Sequence, residues 1–404
     1  MVAKTMTFKT RLSVLLLSTP MLAFVLIGGL MGDVSAGTQD SKIRNLRVFD
    51  EVISLVMSNY VEEVKVDKAM EGALRGLAEG LDPDSAYLTT EQVKDVESPT
   101  KRPAGDVGVE LTRQYYLRVI ATRDGSAAAK AGLQTGDYVR AIDGKATRDM
   151  SVFEGMRMLR GAPNSKVTLA VIRGNAAEPH EVTLVREAGQ VPAVTSKMAA
   201  DGIGYIRIPA FDASVPQAVR SQAAELVKSG ARALIVDVRR TAQGEIEHGV
   251  ATARLFVKSG TLTSRAGREE KDKPGPRETI AEQAGDGSIE VPVELLVSAG
   301  TSGAAEVFAA ALKGNQRATL VGEHTIGRAA AQRLVKLPEG RGLWLTYARY
   351  LTPGGESIHG TGLKPDVPAD EPDVEFGAAL PTTDPVLAAA LEHIQKSNLM
   401  NTPK

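Results

Sequence analysis

The 404-residue chain contains no cysteine, which excludes disulfide bonds, thiolate nucleophiles and cysteine metal sites. Aromatic residues make up only 4% of it, so its hydrophobic cores must consist mainly of aliphatic side chains and alanine. It also lacks a charge excess: the formal net charge is −1, which gives no reason to expect a nucleic-acid partner. Its five histidines show no paired ligand spacing, and no phosphate-binding loop or dinucleotide fingerprint occurs. We therefore expect no metal site and no other cofactor.

One N-terminal segment is apolar enough to interact with a membrane. Basic residues precede an uncharged run over residues 12–32, and Val34-Ser35-Ala36 then supplies the small residues of an export cleavage site. The run is also long enough to span a bilayer. Residues 1–36 thus predict a signal peptide or a membrane anchor. Both alternatives place the remainder outside the cytoplasm, in a periplasm or cell envelope.

The rest of the chain divides into segments with different hydrophobic periodicity. Apolar residues three and four apart predict a helical cap over residues 43–101. Alternating apolar runs predict a partly open β-barrel module with two short helices over residues 102–188. Strand–helix alternation over residues 189–370 predicts a mostly parallel sheet covered by helices, and residues 371–404 predict a polar tail and a last helix. The expected fold class is a multidomain α+β or α/β protein.

Motifs in three of these segments point to one family. They are Tyr60-Val61 and Gly80-Leu81-Asp82-Pro83-Asp84-Ser85 in the cap, Gly108-Val109-Glu110-Leu111 in the β-rich module, and Thr346-Tyr347-Ala348-Arg349-Tyr350-Leu351-Thr352-Pro353-Gly354-Gly355 and Gly360-Thr361-Gly362-Leu363-Lys364-Pro365-Asp366 in the strand–helix segment. In this order they resemble the carboxy-terminal processing (tail-specific) serine peptidases, over roughly residues 43–395. The resemblance implies that residues 102–188 are a PDZ-like domain and residues 189–370 a ClpP/crotonase-like peptidase core.

The resemblance also implies a peptide-binding loop and strand. Its residues are Val107, Gly108, Val109, Glu110 and Leu111. Backbone N–H groups of a glycine-containing loop can hold a terminal carboxylate, and the neighbouring strand edge can pair with an extended peptide. The expected partners are therefore extended peptides or protein C-termini, although Gly108 taken alone also fits a simple turn. Asp106 departs from the pattern, since a negative charge near this loop should weaken carboxylate binding.

The family uses a serine nucleophile and a lysine base, and this chain departs from both. The resemblance puts Gly303 at the serine position and Arg328 at the lysine position 25 residues later, while Gln332 is retained. Glycine carries no nucleophile, and an arginine stays protonated and cannot act as a base. The stretch containing Gln243 and Gly244, where the family builds its oxyanion hole, lacks the usual proline and first glycine. Asp84 stands where the family usually has histidine.

A neighbouring side chain could replace the missing nucleophile. Ser302 and Thr301 are the candidates, with Ser302 as the better one, although we expect one of them to cap the following helix instead. His324 could act as a substitute base, although we expect it at the surface. No spare lysine lies within the second motif, since Lys336 is eight residues beyond Arg328. Two functions remain open at this point. One is a catalytically impaired adaptor that binds peptide tails, alone or beside an active peptidase paralogue, with the helical cap as a route to homo-oligomers. The other is an active endopeptidase that cleaves near protein C-termini with a displaced nucleophile.

Overall fold

The computed structural model describes residues 44–98, 103–176, 178–189, 192–269, 275–283, 285–378 and 381–397. The chain divides into two compact units, one ending at Ala73 and the other beginning at Leu74. The signal or anchor predicted over residues 1–36 lies outside the described residues. No helix in the described ranges is both long and apolar enough to cross a membrane.

Helix α1 covers residues 44–59 of the first unit, and helix α2 covers Val66–Glu79. Both agree with the helical periodicity of the sequence. The apolar side chains of α1 do not form a core within this unit, because Val48, Val52 and Leu55 remain about half exposed.

The predicted helical cap also contains a strand, which corrects the purely helical prediction. Strand β1, Ala86–Leu88, precedes helix α3, Thr90–Glu97, and pairs antiparallel with strand β18, Gly342–Leu351, near the end of the core segment. Three residues are too few to show a strand period, so the sequence did not reveal β1. Thr89 caps α3: its hydroxyl accepts from Gln92 N, and the Gln92 side chain accepts from Thr89 N.

The β-rich module forms a six-stranded antiparallel sheet, a separate two-stranded pair and two short helices. Its elements are β2 (Gly105–Asp106), β3 (Val109–Gln114), β4 (Tyr116–Thr122), α4 (Ala127–Lys130), β5 (Tyr138–Ile142), β6 (Lys145–Ala146), α5 (Val152–Leu159), β7 (Lys166–Ile172), β8 (His180–Val185) and β9 (Glu187–Ala188). The pairing order is β3-β4-β5-β7-β8, with β6 on β5 and a separate β2–β9 pair. Ser126 and Ser151 cap the two helices with their hydroxyls. Strand β3 thus lies at an end of the sheet.

The strand–helix segment forms a second, mostly parallel sheet. Its elements are β10 (Thr195–Ala200), β11 (Ile203–Arg207), α6 (Val215–Lys228), β12 (Ala233–Asp237), α7 (Ile246–Ala253), β15 (Val293–Val297), α8 (Ala304–Gly314), β16 (Ala318–Gly322), β19 (Val367–Pro368) and α9 (Pro385–Lys396). The order is β10-β11-β12-β15-β16-β19, and only β10 among these strands runs antiparallel to its neighbour. Strands β12 and β15 are buried throughout, as their continuous apolar runs predict.

A third, antiparallel sheet completes the second unit. It comprises β1 with β13 (Thr261–Gly267), β14 (Arg277–Ala281), β17 (Ala330–Lys336) and β18 (Gly342–Leu351). Strands β13 and β14 form a hairpin. The mixed α and β architecture confirms the expected multidomain fold class.

Candidate active site

The candidate site lies where neighbouring parallel strands end. Strands β12, β15 and β16 are adjacent and parallel, so the loops after Asp237, Val297 and Gly322 meet at one edge of the sheet. Ligands bind open α/β sheets at such carboxyl edges. The three loops carry all the core residues that the sequence singled out for catalysis, apart from Gln332 on β17.

A buried carboxylate joins two of these loops. Glu306, in the first turn of α8, is fully buried, and it accepts hydrogen bonds from the hydroxyl of Thr325 and from three backbone amides. The amides are Gly303 N at 3.1 Å, Gly327 N at 2.6 Å and Arg328 N at 2.7 Å. Burial raises the pKa of Glu306, while these donors act in the opposite direction. Because Gly303 N and Arg328 N bind the same oxygen, Glu306 fixes the two positions side by side.

Gly303 itself occupies the turn from strand to helix. It is the N-cap of α8, with φ 60° and ψ −113°, a backbone conformation that residues with a side chain adopt only under strain. Nucleophilic serines of other hydrolases stand on strained turns of this kind. The prediction that Ser302 or Thr301 caps α8 is wrong. Thr301 donates its hydroxyl to Val238 O, and Ser302, only 2% exposed, donates its backbone N–H to Thr241 O.

Arg328 forms an ion pair with the cap. Its Nε donates to Asp84 Oδ1 at 2.6 Å, and the Arg328 side chain keeps 24% of its exposure while that of Asp84 keeps 6%. Burial by itself would lower the pKa of the Arg328 guanidinium, but the carboxylates of Asp84 and Glu110 outweigh this effect and raise it. Arg328 is therefore held as a cation.

The stretch after β12 contacts the β-rich module. Gln243 Nε2 donates to Glu110 Oε1 at 3.1 Å, and Glu110 is one of the residues of β3. Burial raises the pKa of Glu110, and Arg328 and the amide of Gln243 counteract it. Gly244 has φ 125°, and a Cβ there would lie 2.2 Å from Phe211 O, so no other residue fits. Of the two residues named for the oxyanion region, Gln243 therefore contacts β3, and Gly244 lets its backbone lie close to that of Phe211.

Arg328 and Gln332 line a cavity of about 600 Å³ between the core and helix α5. Phe153, Met156 and Trp344 form an apolar wall, and Glu110 belongs to the polar end. Gln332 Nε2 also lies 3.4 Å from Thr346 Oγ1. Such a mixed lining suits an extended polypeptide with apolar side chains.

The predicted peptide-binding residues can offer a ligand mainly their backbone atoms. The side chains of Val107, Val109 and Leu111 are buried in the core of the β-rich module, so only their backbones can contact a ligand. Gly108 has φ 73°. Among the described residues β3 pairs only with β4, so its other edge suits strand addition.

The two side chains that could supply a substitute base are both exposed. His324 is exposed, as expected, with Nδ1 2.9 Å from Thr325 O. Lys336 is also exposed and forms an ion pair with Glu97. Among the described residues, neither side chain forms a hydrogen bond with Ser302.

Comparison with known proteins identifies the family. Residues 202–369 match Peptidase family S41, and residues 118–173 match the PDZ domain. The carboxyl-terminal-processing protease of Synechocystis sp. is 32% identical over 77% of this chain and 73% of its own length. The carboxy-terminal processing protease CtpA of Bacillus subtilis is 30% identical over 88% of this chain and 74% of its own length. The chain belongs to peptidase family S41.

A solved structure agrees with this assignment. The photosystem II D1 C-terminal processing protease is 27% identical, with a TM-score of 0.67, and the match covers 81% of this chain and 95% of that one. Both the recognition of the family and the fold class are thereby confirmed.

Sequence reasoning about this S41 member missed two features of the site. The sequence motifs assign no role to Glu306, whereas in the structure it holds Gly303 and Arg328 together. The Asp84–Arg328 pair was missed as well. Both residues depart from the family pattern, but nothing in the sequence pairs two positions 244 residues apart.

Proposed function

We propose that this S41 member is catalytically impaired and acts as an exported peptide-binding protein. It binds extended polypeptide along β3 and either works alone or presents it to an active peptidase paralogue. The apolar run over residues 12–32 supports a place in the periplasm or cell envelope.

The ion pair of Arg328 carries this proposal. A lysine base needs a lowered pKa so that a neutral amine can accept the serine proton. Arg328 has the opposite environment, since Asp84 and Glu110 stabilise its cationic form. Gly303 adds no nucleophile. Loss of the nucleophile alone costs a hydrolase of this kind on the order of a millionfold in turnover.

The position of Ser302 supports the same conclusion. Ser302 is almost fully buried, and its backbone N–H donates to Thr241 O. A nucleophile requires a base within hydrogen-bond distance of its hydroxyl. Within the described residues, no lysine or histidine side chain forms a hydrogen bond with Ser302.

A degradation assay tests the proposal. The purified protein is incubated with a disordered protein that ends in apolar residues, beside an active carboxy-terminal processing protease as the positive control. We expect fragments only in the control. Turnover by the wild-type chain would contradict impairment, and its loss in Ser302→Ala would assign it to a displaced nucleophile.

A binding assay tests the other half of the proposal. Fluorescence anisotropy with labelled extended peptides measures their affinity for the wild-type chain. We expect saturable binding in the micromolar range. A charge change on the cavity wall, Met156→Glu, should weaken it, while the same change at the exposed Met198 should not.

A further inference from the structure

The loop before β3 already holds a carboxylate that belongs to the chain itself. Gly108 N donates to Asp106 Oδ1 at 2.8 Å. Gly108 has φ 73°, and a Cβ there would lie 2.3 Å from Ser126 Cβ, so only glycine can present this amide. The donor that a carboxylate-binding loop would offer to a peptide terminus is therefore occupied.

An arginine completes the arrangement. Arg123 Nη2 lies 2.6 Å from Asp106 Oδ1, and Nη1 lies 3.1 Å from Oδ2. The Arg123 side chain is only 7% exposed, while that of Asp106 is 29% exposed. Backbone N–H groups and a guanidinium that binds in a bidentate manner are groups that recognise carboxylates in proteins. Asp106 satisfies both of them.

We infer that Asp106 is an internal substitute for a peptide's terminal carboxylate, so that the module binds internal segments of extended polypeptides rather than free C-termini. This inference rests on the proposed peptide-binding function. It decides between the two ligand classes that the sequence left open.

Competition between the two carboxylates favours the internal one. Asp106 stands two residues from Gly108, and a tether this short keeps a group at an effective concentration in the millimolar range or above. A peptide terminus at micromolar concentration would replace one carboxylate with another and gain no new ion pair. Backbone pairing with β3 needs no terminus, and it remains open to any extended segment.

Matched peptides test the inference. One apolar sequence is prepared with a free C-terminal carboxylate and again with a C-terminal amide, and both dissociation constants are measured by fluorescence anisotropy. For the wild type we expect the two constants to agree within about twofold, whereas a preference of about tenfold or more for the free carboxylate would overturn the inference.

Removing the internal carboxylate should reverse this result. In Asp106→Ala, Gly108 N and Arg123 become available, and we expect the free carboxylate to bind about tenfold better than the amide. Glu187→Gln is the matched control, because Glu187 lies opposite Asp106 on β9 and its removal takes away the same charge without freeing the loop. The control should keep the wild-type ratio. No preference in Asp106→Ala would contradict the inference.

A second measurement does not depend on peptide binding. Asp106→Ala leaves Arg123 buried without its carboxylate, so acetate should raise the Tm of this variant more than that of the wild type, compared with chloride at equal ionic strength. Equal shifts would overturn the inference. If Asp106→Ala does not fold, Asp106→Asn takes its place in the acetate series. The two proposals can fail separately. If no peptide binds any variant but acetate still stabilises Asp106→Ala more than the wild type, the proposed peptide-binding function is wrong, while Asp106 is still shown to occupy a carboxylate site.

Discussion

Gly303 keeps the backbone of a reactive turn without a reactive side chain. Its φ of 60° is tolerated by glycine and strained for other residues, yet nothing lies within 4 Å of a Cβ added there. The strain alone should decide the effect of a substitution. We expect Gly303→Ala to lower the free energy of unfolding by about 1–2 kcal/mol, measured by urea denaturation.

A helical glycine provides the control for this measurement. Gly76 in α2 also has no atom within 4 Å of an added Cβ, but its φ is not in the left-handed region. Gly76→Ala should therefore raise stability by about 0.5–1 kcal/mol. The same sign of effect at both positions would contradict the role assigned to strain.

A double-mutant cycle can measure how much the Asp84–Arg328 ion pair contributes to the free energy of unfolding. Removing one partner of a buried pair leaves the other charge without compensation, which costs about 3–5 kcal/mol when burial is complete. The partial exposure of Arg328 reduces this, so we expect Asp84→Asn and Arg328→Met each to cost about 2–4 kcal/mol. The double variant should cost clearly less than the sum, as measured by urea denaturation.

An exposed pair supplies the comparison for this cycle. Arg265 and Glu278 form an ion pair with side chains 40% and 60% exposed. The cycle Arg265→Met with Glu278→Gln should give a coupling below about 1 kcal/mol. Additive effects at Asp84 and Arg328 would show that the two residues do not stabilise each other.

At the scale of elements, helix α9 is held against the sheet by an unusual carboxyl group. Glu294 on β15 is fully buried, and its Oε1 lies 2.9 Å from His393 Nδ1 on α9. Burial raises the pKa of Glu294 to about 7, with a further contribution from Asp366, while His393 acts in the opposite direction. A carboxyl group buried in this way binds its proton more tightly in the folded chain than in the unfolded one.

This raised pKa predicts how stability depends on pH. Because the folded pKa exceeds the unfolded one, the contribution of Glu294 is complete below about pH 4.5 and is lost as pH rises to about 7. Between pH 4.5 and 8 the free energy of unfolding should therefore fall by about 2–3 kcal/mol less in Glu294→Gln than in the wild type, as measured by urea denaturation. The exposed Glu290 provides the control, and Glu290→Gln should leave the pH profile unchanged.

The elements that the sequence predicted share a local signal. Helix α6 and the buried strands β12 and β15 follow from apolar periodicity or from continuous apolar runs. Strand β1 did not, because three residues carry no period and its partner β18 lies far along the chain. The candidate site shows the same division. Gly303 and Arg328 could be located by motif, whereas the Asp84–Arg328 bond joins residues 244 apart and only the folded chain reveals it.

At the scale of the whole second unit, polar contacts join the β-rich module to the core. Gln243 binds Glu110, and Arg207 on β11 binds both oxygens of Asp124 at 3.0 and 3.2 Å. These contacts position β3 beside the loops that carry Gly303 and Arg328. Glu110 of β3 and Arg328 line the same cavity, so a polypeptide on the proposed peptide-binding edge would also reach the candidate site.

The segment that precedes α9 forms a further link between module and core. The Phe376 ring stacks on His180 of β8 at 4.7 Å between centroids, with 6° between the planes. Arg173 lies over the Phe376 ring, 5.0 Å from its centroid, and donates to Val374 O at 3.0 Å. Since α9 packs on the core sheet, this segment restrains the β-rich module at a second place.

Truncation of Phe376 tests this restraint. The ring is partly buried, so we expect Phe376→Ala to cost about 1–2 kcal/mol, less than a fully buried phenylalanine would. Amide hydrogen exchange should quicken in β8 and in the segment around Val374, and leave β12 and β15 unchanged, because the loss is local. Val227→Ala, which truncates an exposed side chain on α6, should alter neither stability nor exchange measurably. Faster exchange throughout the core sheet would instead mean that Phe376 supports the whole unit.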